Sequence, residues 1–373
     1  MKTLGFGMLR LKQTETRDWG SAIDLETFAN LADQYLNSGY NYFDTAFTYQ
    51  DGLNEQAFRE VVAKRYPRDA YMIADKIPVY MLDQPSQLVS VFSKMLENCG
   101  VSWFDYLLLH AMSVPAYELS KRSNAFAFLQ KQKKEGRAKK VGFSFHGTAD
   151  ALDLILTEHP EVDFVQIQIN YLDWEDVTIQ SKGCYEVCEK HGKPVIVMEP
   201  IKGGSLVDIP DEAMALLKKA DPDQSAASWA LRFAASHENV KIVLSGMKCE
   251  EDLRDNLKTF RDLKPITKEE YAVLQKAADI IHAQTAINCT GCRYCIPGCP
   301  KQIVISDYFS IYNTYKRSGL ACVTDIWNYY NNLAKIHGGP TDCIKCGKCE
   351  ERCPQHLPIR ELLQTVQEEL KDL

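Results

Sequence analysis

Two cysteine runs near the end of this 373-residue sequence restrict what that part of the chain can fold into. The runs are CTGCRYCIPGCP and CIKCGKCEERCP, and both follow the spacing C-x2-C-x2-C-x3-C-P. Close spacing lets one turn of chain present three thiolates to one metal centre, and the proline after the fourth cysteine redirects the chain. The eight candidate metal ligands are Cys289, Cys292, Cys295, Cys299, Cys343, Cys346, Cys349 and Cys353.

The duplicated spacing resembles that of bacterial ferredoxins with two [4Fe-4S] clusters, in which the fourth cysteine of each run binds the other cluster. We therefore expect Cys353 to complete the first cluster and Cys299 to complete the second. Zinc is a competing interpretation, but zinc takes four ligands, usually in two pairs, and would leave the three-plus-one arrangement unexplained. A disulfide framework is the other alternative, and it is disfavoured if the thiols stay in a reducing compartment.

The overall composition narrows the class of protein. A formal net charge of -7 and a pI near 5.7 argue against a nucleic-acid partner, whose phosphates require a basic face. No apolar run approaches the roughly 20 residues of a membrane span, and the start MKTLGFGMLRL is too short for a signal peptide. We expect a cytoplasmic protein with no membrane partner. The five cysteines outside the runs receive no role, and Cys184 and Cys188 are expected to be core thiols.

Short apolar runs alternate with longer amphipathic stretches from Thr3 to about Gly246, which is typical of repeated β–α units. The eight candidate strands are TLGFGM, YNYFDTA, AYMIADKI, DYLLLHA, KKVGFSF, FVQIQIN, PVIVMEP and VKIVLSG. Eight units predict an α/β fold, a (β/α)8 TIM barrel, followed by a small, mainly helical ferredoxin-like iron–sulfur domain. Two charged helices broken near Pro265 follow the last strand. The expected domains are residues 1–262 for the barrel, 263–284 for a linker helix region and 285–373 for the iron–sulfur domain.

Polar residues end most of the predicted strands, and active sites of (β/α)8 barrels lie where the strands end. These strand-end residues are Asp44, Lys76, His110, Ser144, Gln166, Glu199 and Gly246. One such residue alone is as easily explained by the chain leaving the core. An acid, a lysine and a histidine on consecutive strands favour a catalytic site.

NYFDTAFTY, ADKI and LLLH resemble the catalytic tetrad of the aldo-keto reductases. The resemblance continues through VGFSF, VQIQIN, VMEPIKGG and LSGMKCEEDLRDNL in the family's order, over about residues 3 to 260. With the cysteine runs, the chain resembles the branch of that family that carries a C-terminal ferredoxin-type module. The resemblance implies that Asp44, Tyr49, Lys76 and His110 are catalytic.

The chemistry of carbonyl reduction explains these residue types. Hydride addition builds negative charge on oxygen, so the site needs a proton donor and positive charge beside that oxygen. Tyr49 is the expected proton donor, and the Lys76 ammonium is expected to lower its pKa. Asp44 would hold Lys76 in place and His110 would orient the carbonyl. Separately, each residue also fits a structural role as a pocket wall, an ion pair or a core histidine.

The family resemblance also implies a nicotinamide cofactor, NADPH or NADH. Ser144 and Gln166 would bind the carboxamide, and Lys202, Gly203 and Gly204 would approach the pyrophosphate. Gly246 is a further cofactor-binding candidate, and Lys248 is a candidate to reach the 2′-phosphate of NADPH. The sequence departs from the familiar pattern at three positions, which are Met198, Phe145 and Asp252. His146 is an unassigned candidate at the same mouth.

Three functional hypotheses remain open. The first is a reductase of aldehydes or ketones that carries two [4Fe-4S] clusters with a structural or electron-transfer role. The second is an electron-transferring oxidoreductase in which a flavin links the barrel to the clusters and to a redox protein partner at the iron–sulfur domain. The third is a noncatalytic redox sensor. The expected substrate is a small-molecule carbonyl or alcohol.

Overall fold

The computed structural model describes residues 3–15, 21–82, 84–176, 179–287, 289, 293, 295–318, 330, 333–334, 337–353 and 357–371. The chain divides into two compact units, Met1–Ile209 with Leu217–Ala272 and Pro210–Leu216 with Val273–Leu373. The domain limits given above remain a prediction.

Ten strands are found among the described residues. They are β1 (Thr3–Gly7), β2 (Gln13–Glu15), β3 (Ser21–Ile23), β4 (Tyr42–Asp44), β5 (Met72–Ile77), β6 (Phe104–Met112), β7 (Ala138–Phe145), β8 (Phe164–Gln168), β9 (Val195–Met198) and β10 (Val240–Gly246). Eight of them form a closed parallel barrel in the order β1-β10-β9-β8-β7-β6-β5-β4. All eight predicted strands and the predicted barrel are confirmed. The antiparallel pair of β2 and β3 was not predicted.

Side chains fill the inside of the barrel. The ring centroids of Tyr42 and Tyr106 lie 5.0 Å apart, and those of Tyr106 and Phe164 lie 5.2 Å apart, in both cases edge to face. Ala74, Leu108, Ile196, Ile242 and Leu244 complete this buried cluster. The interior is therefore a packed core, and side-chain chemistry is confined to the ends of the strands.

Helices lie between and after the strands of the barrel. They are α1 (Leu25–Asn37), α2 (Leu53–Phe58), α3 (Pro85–Cys99), α4 (Val114–Ser123), α5 (Ala125–Lys134), α6 (Ala149–Glu158), α7 (Ser181–Lys190), α8 (Asp211–Ala220), α9 (Ala226–Ser236), α10 (Glu250–Arg261) and α11 (Lys268–Ala283). Asp24 caps α1, because its side chain accepts a hydrogen bond from the Thr27 amide at 2.9 Å. The predicted helix break near Pro265 falls between α10 and α11. Cys184 and Cys188 are buried on α7, as expected.

The second unit contains α12 (Ile305–Ser318), α13 (Lys348–Glu351) and α14 (Ile359–Leu370). Its apolar core includes Tyr308 and Phe309 of α12 and Leu363 and Val366 of α14. Gly338 pairs with Ile303 in a single parallel bridge, and a Cβ at Gly338 would lie 2.0 Å from the Lys301 carbonyl oxygen. Only glycine fits this close backbone approach. Among the described residues, no helix is long and apolar enough to cross a membrane.

Candidate functional site

Consecutive strands of the barrel bring a lysine, an acid and a tyrosine into contact. Lys76 on β5 donates hydrogen bonds to Asp44 Oδ1 on β4 and to the Thr45 carbonyl oxygen, each at 2.6 Å. Its Nζ also lies 3.3 Å from the hydroxyl oxygen of Tyr49, which begins a short 3-10 turn, Tyr49–Gly52, after β4. The His110 ring from β6 meets the Tyr49 ring edge to face, with centroids 5.6 Å apart. The four predicted tetrad residues therefore form one group.

The Lys76 and Asp44 side chains form a buried ion pair. Lys76 is 1% exposed and Asp44 is 3% exposed. Burial opposes the charge on Lys76, but attraction to Asp44 and Tyr49 outweighs it, so the pKa of Lys76 is raised. The same burial raises the pKa of Asp44, and the Lys76 ammonium opposes that effect. Each charge stabilises the other in this buried site. Removal of one partner would leave a buried unpaired charge and lower the free energy of unfolding by about 3–5 kcal/mol.

Burial and the Lys76 ammonium have opposite effects on the pKa of Tyr49. Burial raises the pKa of the Tyr49 phenol above its usual value, and the Lys76 ammonium only partly offsets this effect. The nearby carboxylates of Asp44 and Asp75 add to the increase. The Lys76 ammonium thus acts on the Tyr49 pKa in the predicted direction, but the net shift is upward, because the loss of hydration outweighs the attraction of one ammonium. The phenol is therefore held in its protonated form.

His110 is held in its neutral form. Burial, then repulsion by the Lys76 ammonium and by His146, lowers the pKa of His110 to about 3. Its Nδ1 atom is buried and has no hydrogen-bond partner among the described residues. A neutral imidazole offers one donor and one acceptor, so it can hydrogen-bond a polar ligand without competing with Lys76 for charge.

Ser144 on β7 and Gln166 on β8 are direct neighbours in the barrel register. Both are buried. The Ser144 hydroxyl accepts a hydrogen bond from the Ala111 amide at 2.8 Å. Within the described part of the chain, Gln166 Oε1 is a buried acceptor without a partner. A buried, unsatisfied acceptor is costly and is explained by a ligand that donates a hydrogen bond there, as a carboxamide can.

The segment Lys202–Gly204 forms a short 3-10 turn after β9. Lys202, Gly203 and Gly204 all have positive φ angles, 46°, 67° and 107°, which favours glycine at the last two positions. The Lys202 ammonium forms an ion pair with the buried carboxylate of Asp173. Asp173 also accepts hydrogen bonds from Gln168 and Asn170, at 2.7 and 2.9 Å. The Lys202 side chain thus anchors the turn. The Gly204 amide donates to the Ile201 carbonyl oxygen at 2.9 Å, and the Gly204 carbonyl oxygen accepts from the Val207 amide at 2.9 Å, so backbone hydrogen bonds also hold the turn.

Arg10 connects the predicted glycine positions and was missed by the sequence analysis. A Cβ on Gly203 would lie 2.7 Å from Arg10 Nη2, and a Cβ on Gly246 would lie 3.3 Å from Arg10 Cβ. The exposed Arg10 side chain therefore extends across Gly246 to Gly203. Arg10 lies three residues past β1, beyond the strand ends that the sequence analysis considered. The Lys248 side chain is also exposed, and the Lys248 backbone amide donates a hydrogen bond to Asp252 Oδ2 at 3.1 Å.

Two other side chains approach the tetrad. The Tyr80 ring lies 5.8 Å from the His110 ring, and the Tyr80 hydroxyl lies 3.4 Å from Thr48 Oγ1. Tyr80 is 40% exposed, so it can contact a ligand that reaches His110. His146 follows β7, at the carboxyl end of the barrel strands, and its side chain is exposed. Partial loss of hydration lowers the pKa of His146. Strand-end counting could identify His146 but not Tyr80, which lies in a turn after β5.

The cysteine runs converge on a pocket in the second unit. Among the described residues, the pocket is lined by Cys299 together with Cys343, Cys346 and Cys349. Cys299 belongs to the first run and the other three to the second, which is the combination that the ferredoxin resemblance implies. The thiol donor set and the apolar walls, which include Ile303, Ile305 and Leu363, fit an iron–sulfur cluster. Cys292 of the first run lies outside the described residues.

A closed parallel barrel with this group of side chains at its strand ends defines a (β/α)8-barrel oxidoreductase. The aldo/keto reductase family profile matches residues 3–279, and the 4Fe-4S dicluster domain profile matches residues 288–357. The chain therefore belongs to the aldo/keto reductase family and carries a C-terminal 4Fe-4S dicluster domain.

Individual proteins that are similar to this chain are also aldo-keto reductases. An aldo-keto reductase of Mycolicibacterium smegmatis is 26% identical over 226 residues, 60% of this chain and 74% of that protein. A Bacillus halodurans aldo-keto reductase in its holo form is similar with a TM-score of 0.58 and 21% identity, over 74% of this chain and 91% of the other. A Klebsiella pneumoniae aldo-keto reductase in complex with NADPH has a TM-score of 0.56 and 16% identity, over 74% and 90%. These structural likenesses show the fold.

Proposed function

We propose that this protein reduces an aldehyde or ketone to an alcohol with NADPH or NADH, and that Tyr49 donates the proton. The contact between Tyr49 and the buried Lys76–Asp44 pair carries the proposal. The nicotinamide, when bound, would supply the hydride. The chain's own residues would bind and orient the carbonyl and supply the proton to its oxygen.

The protonated Tyr49 phenol suits this task. Its hydroxyl is the acid that would transfer a proton to the carbonyl oxygen, and the resulting phenolate would be stabilised by Lys76 at 3.3 Å. Asp44 keeps Lys76 charged and in place. The neutral His110 would donate a hydrogen bond to the same oxygen, because an uncharged imidazole can carry its proton on the nitrogen that faces the substrate.

The proposed nicotinamide site lies on the neighbouring strands. The unpaired Gln166 Oε1 supports carboxamide binding, since a primary amide donates the hydrogen bond that this oxygen lacks. The turn Lys202–Gly204, with its two glycines, and the Arg10 guanidinium support phosphate binding. Gly246 and Lys248 are proposed beside the adenosine end. The exposed Lys248 would be the cation beside a 2′-phosphate, which supports NADPH as one of the two candidate nucleotides.

We further propose two [4Fe-4S] clusters in the C-terminal unit. Cys343, Cys346 and Cys349 would bind one cluster with Cys299, and Cys289, Cys292 and Cys295 would bind the other with Cys353. The pocket shared by Cys299 and the second run supports this assignment. Bound clusters would supply one-electron chemistry. A reducing compartment such as the cytoplasm, which keeps the cysteines as thiols, fits this assignment.

A second candidate function is electron transfer to a redox protein partner. Cys346 is exposed, unlike the buried Cys349 of the same run. An exposed thiolate ligand would bring a cluster edge close to solvent, where a partner can reach it. We retain residues 1–262, 263–284 and 285–373 as the proposed barrel, linker and iron–sulfur parts.

Anaerobic mixing with reduced nicotinamides tests both candidates. Protein with reconstituted clusters is mixed with NADPH and then NADH, with and without a panel of aldehydes, while cofactor and cluster absorbance are followed together. Aldehyde-dependent cofactor oxidation with unchanged clusters would support the carbonyl reductase. Cluster bleaching without aldehyde would favour the electron-transfer candidate, and no response in either signal would refute the reductase.

A further inference from the structure

Two acidic side chains are buried directly behind the lysine of the tetrad. Asp75 precedes Lys76 on β5, Glu55 lies on α2, and both are 0% exposed. Each carboxyl group shifts the pKa of the other. One ligand atom each from Glu55, Asp75 and the Cys99 thiol lie within 4.8 Å of one another. Two carboxylates in contact in a low-dielectric interior repel each other strongly, so one of them is expected to hold a proton.

The hydrogen-bond donors around the pair identify the neutral member. Asp75 Oδ1 accepts from the Lys76 amide at 2.8 Å, and Asp75 Oδ2 accepts from Cys99 Sγ at 3.5 Å. Glu55 Oε2 accepts from Asn98 Nδ2 at 2.7 Å, but Glu55 Oε1 has no donor within the described chain. An ionised carboxylate only accepts hydrogen bonds, whereas a protonated one needs an acceptor for its proton. The donors thus fit an ionised Asp75 and a protonated Glu55 that donates to it.

The electrostatics of the pair agree with this assignment. Burial, followed by repulsion from Asp75, raises the pKa of Glu55. Burial also raises the pKa of Asp75, but hydrogen bonds from Glu55 and the Lys76 amide stabilise its charge and oppose the increase. Because two coupled acids lose their protons in two steps, the pair holds one proton between those steps.

The charge on Asp75 acts on the tetrad. Asp75 holds the Lys76 backbone amide, and its negative charge raises the pKa of the Tyr49 phenol. The other charged or titratable groups that act on the pair or on its neighbours are Lys76, Asp44, Cys99, Lys94 and Arg59.

We propose that Glu55 and Asp75 share one proton, with Glu55 neutral, and that the single charge on Asp75 positions Lys76 and keeps the Tyr49 phenol protonated to higher pH. Both acids are positioning residues, since they act through Lys76 and Tyr49. Glu55 remains a neutral hydrogen-bond donor, so the cluster next to Lys76 carries one negative charge instead of two. The turnover part of the test rests on the proposed carbonyl reduction, whereas the proton-sharing part does not.

Infrared spectroscopy tests the shared proton without turnover. At pH 8 the wild-type protein should show the C=O stretching band of a protonated carboxylic acid, and the Glu55→Gln difference spectrum should show its loss. The same band should remain in Asp105→Asn. Asp105 is a matched control, because it is buried at 4% exposure and accepts from the Ile73 amide of β5 at 3.0 Å. Absence of the band in the wild type would overturn the proposal even if no variant folds.

The pH profile of kcat then tests the link to Tyr49. Glu55→Gln keeps a neutral donor beside an ionised Asp75, so its alkaline limb should coincide with that of the wild type. The double variant Glu55→Gln/Asp75→Asn removes the charge and should move the alkaline limb of the kcat profile to lower pH, because the loss of a nearby negative charge favours the phenolate. In Asp105→Asn, the alkaline limb of the kcat profile should coincide with that of the wild type.

Three further results would overturn the proposal. A shift already present in Glu55→Gln would mean that Glu55 is ionised, and an unshifted double variant would mean that Asp75 does not act on Tyr49. Stoichiometric zinc in the purified protein, lost in Cys99→Ser, would mean that the cluster binds a cation instead of sharing a proton. If no aldehyde is reduced but the infrared band behaves as expected, the proposed function fails and the proton sharing stands.

Discussion

The Tyr49 hydroxyl oxygen lies 3.3 Å from the Lys76 ammonium nitrogen, where Lys76 is buried and Tyr49 is partly buried. In such a site the phenol keeps its proton until a reaction requires it, because burial disfavours the phenolate and the ammonium reduces that penalty when the phenolate forms. The contact thus couples a proton donor to the cation that stabilises its conjugate base.

Tyr49→Phe should lower kcat for aldehyde reduction by at least about 100-fold, because general-acid catalysis contributes about 10²–10⁴-fold. The measurement is aldehyde-dependent oxidation of NADPH. Iron content and cluster absorbance should equal those of the wild type, since Tyr49 lies in the barrel unit. Turnover at the wild-type rate would refute the assignment of Tyr49.

Acid should destabilise the protein through His110. Its pKa in the folded protein is about 3, below the ordinary 6.5, so the unfolded chain binds the extra proton between these values. The stability from this group is complete above pH 6.5 and falls by about 1.4 kcal/mol for each unit of pH below it, down to about pH 3. Urea unfolding of wild type and His110→Asn at several pH values measures the slope. We expect a shallower slope in the variant, and equal slopes would contradict a buried neutral His110.

Gln166→Leu should weaken binding of NADPH by about fivefold, the effect of one hydrogen bond of about 1 kcal/mol. Fluorescence titration gives the dissociation constant. The control is a second ligand, measured with both the wild type and the variant. ADP-ribose phosphate lacks the carboxamide, so its affinity should be the same for both proteins. An equal loss for both ligands would show that Gln166 supports the fold of the site instead of binding the carboxamide.

Cys299→Ser should remove the cluster of the second cysteine run, because Cys299 lines the pocket with Cys343, Cys346 and Cys349. Two [4Fe-4S] clusters contain about eight irons per chain, so we expect about four in the variant. Cys184→Ser, which changes a buried thiol of α7, is the control and should retain the wild-type iron content. Loss of all iron in Cys299→Ser would leave the pairing of the runs undefined, and full retention would reject Cys299 as a ligand.

The barrel was predictable because its strands are buried on both faces. Parallel strands inside a ring of helices are near-continuous apolar runs, and runs such as DYLLLHA and FVQIQIN are recognisable without knowledge of the fold. The pair β2 and β3 was not predicted, since each strand has only three residues and lacks such a run. Strand ends also identified Asp44, Lys76 and His110, because the barrel brings the carboxyl ends of all its strands to one face.

The remaining features of the site depend on contacts between distant parts of the chain. Arg10 reaches Gly203 and Gly246 only after the barrel has closed β1 against β10. The Lys202 ammonium, expected near phosphate, is engaged by Asp173 from the segment after β8. Neither pairing leaves a pattern in the spacing of residues.

The sequence by itself determined the strand rhythm, the cysteine spacing and the kinds of side chain at the strand ends, because these follow from local periodicity and short-range geometry. Only the tertiary structure decided how those side chains are protonated. Burial outweighs the lowering effect of Lys76 and raises the pKa of Tyr49, and the donors around Glu55 and Asp75 differ although both are acids. Burial and the distance to opposite charges set such equilibria, and both quantities exist only once the chain has folded.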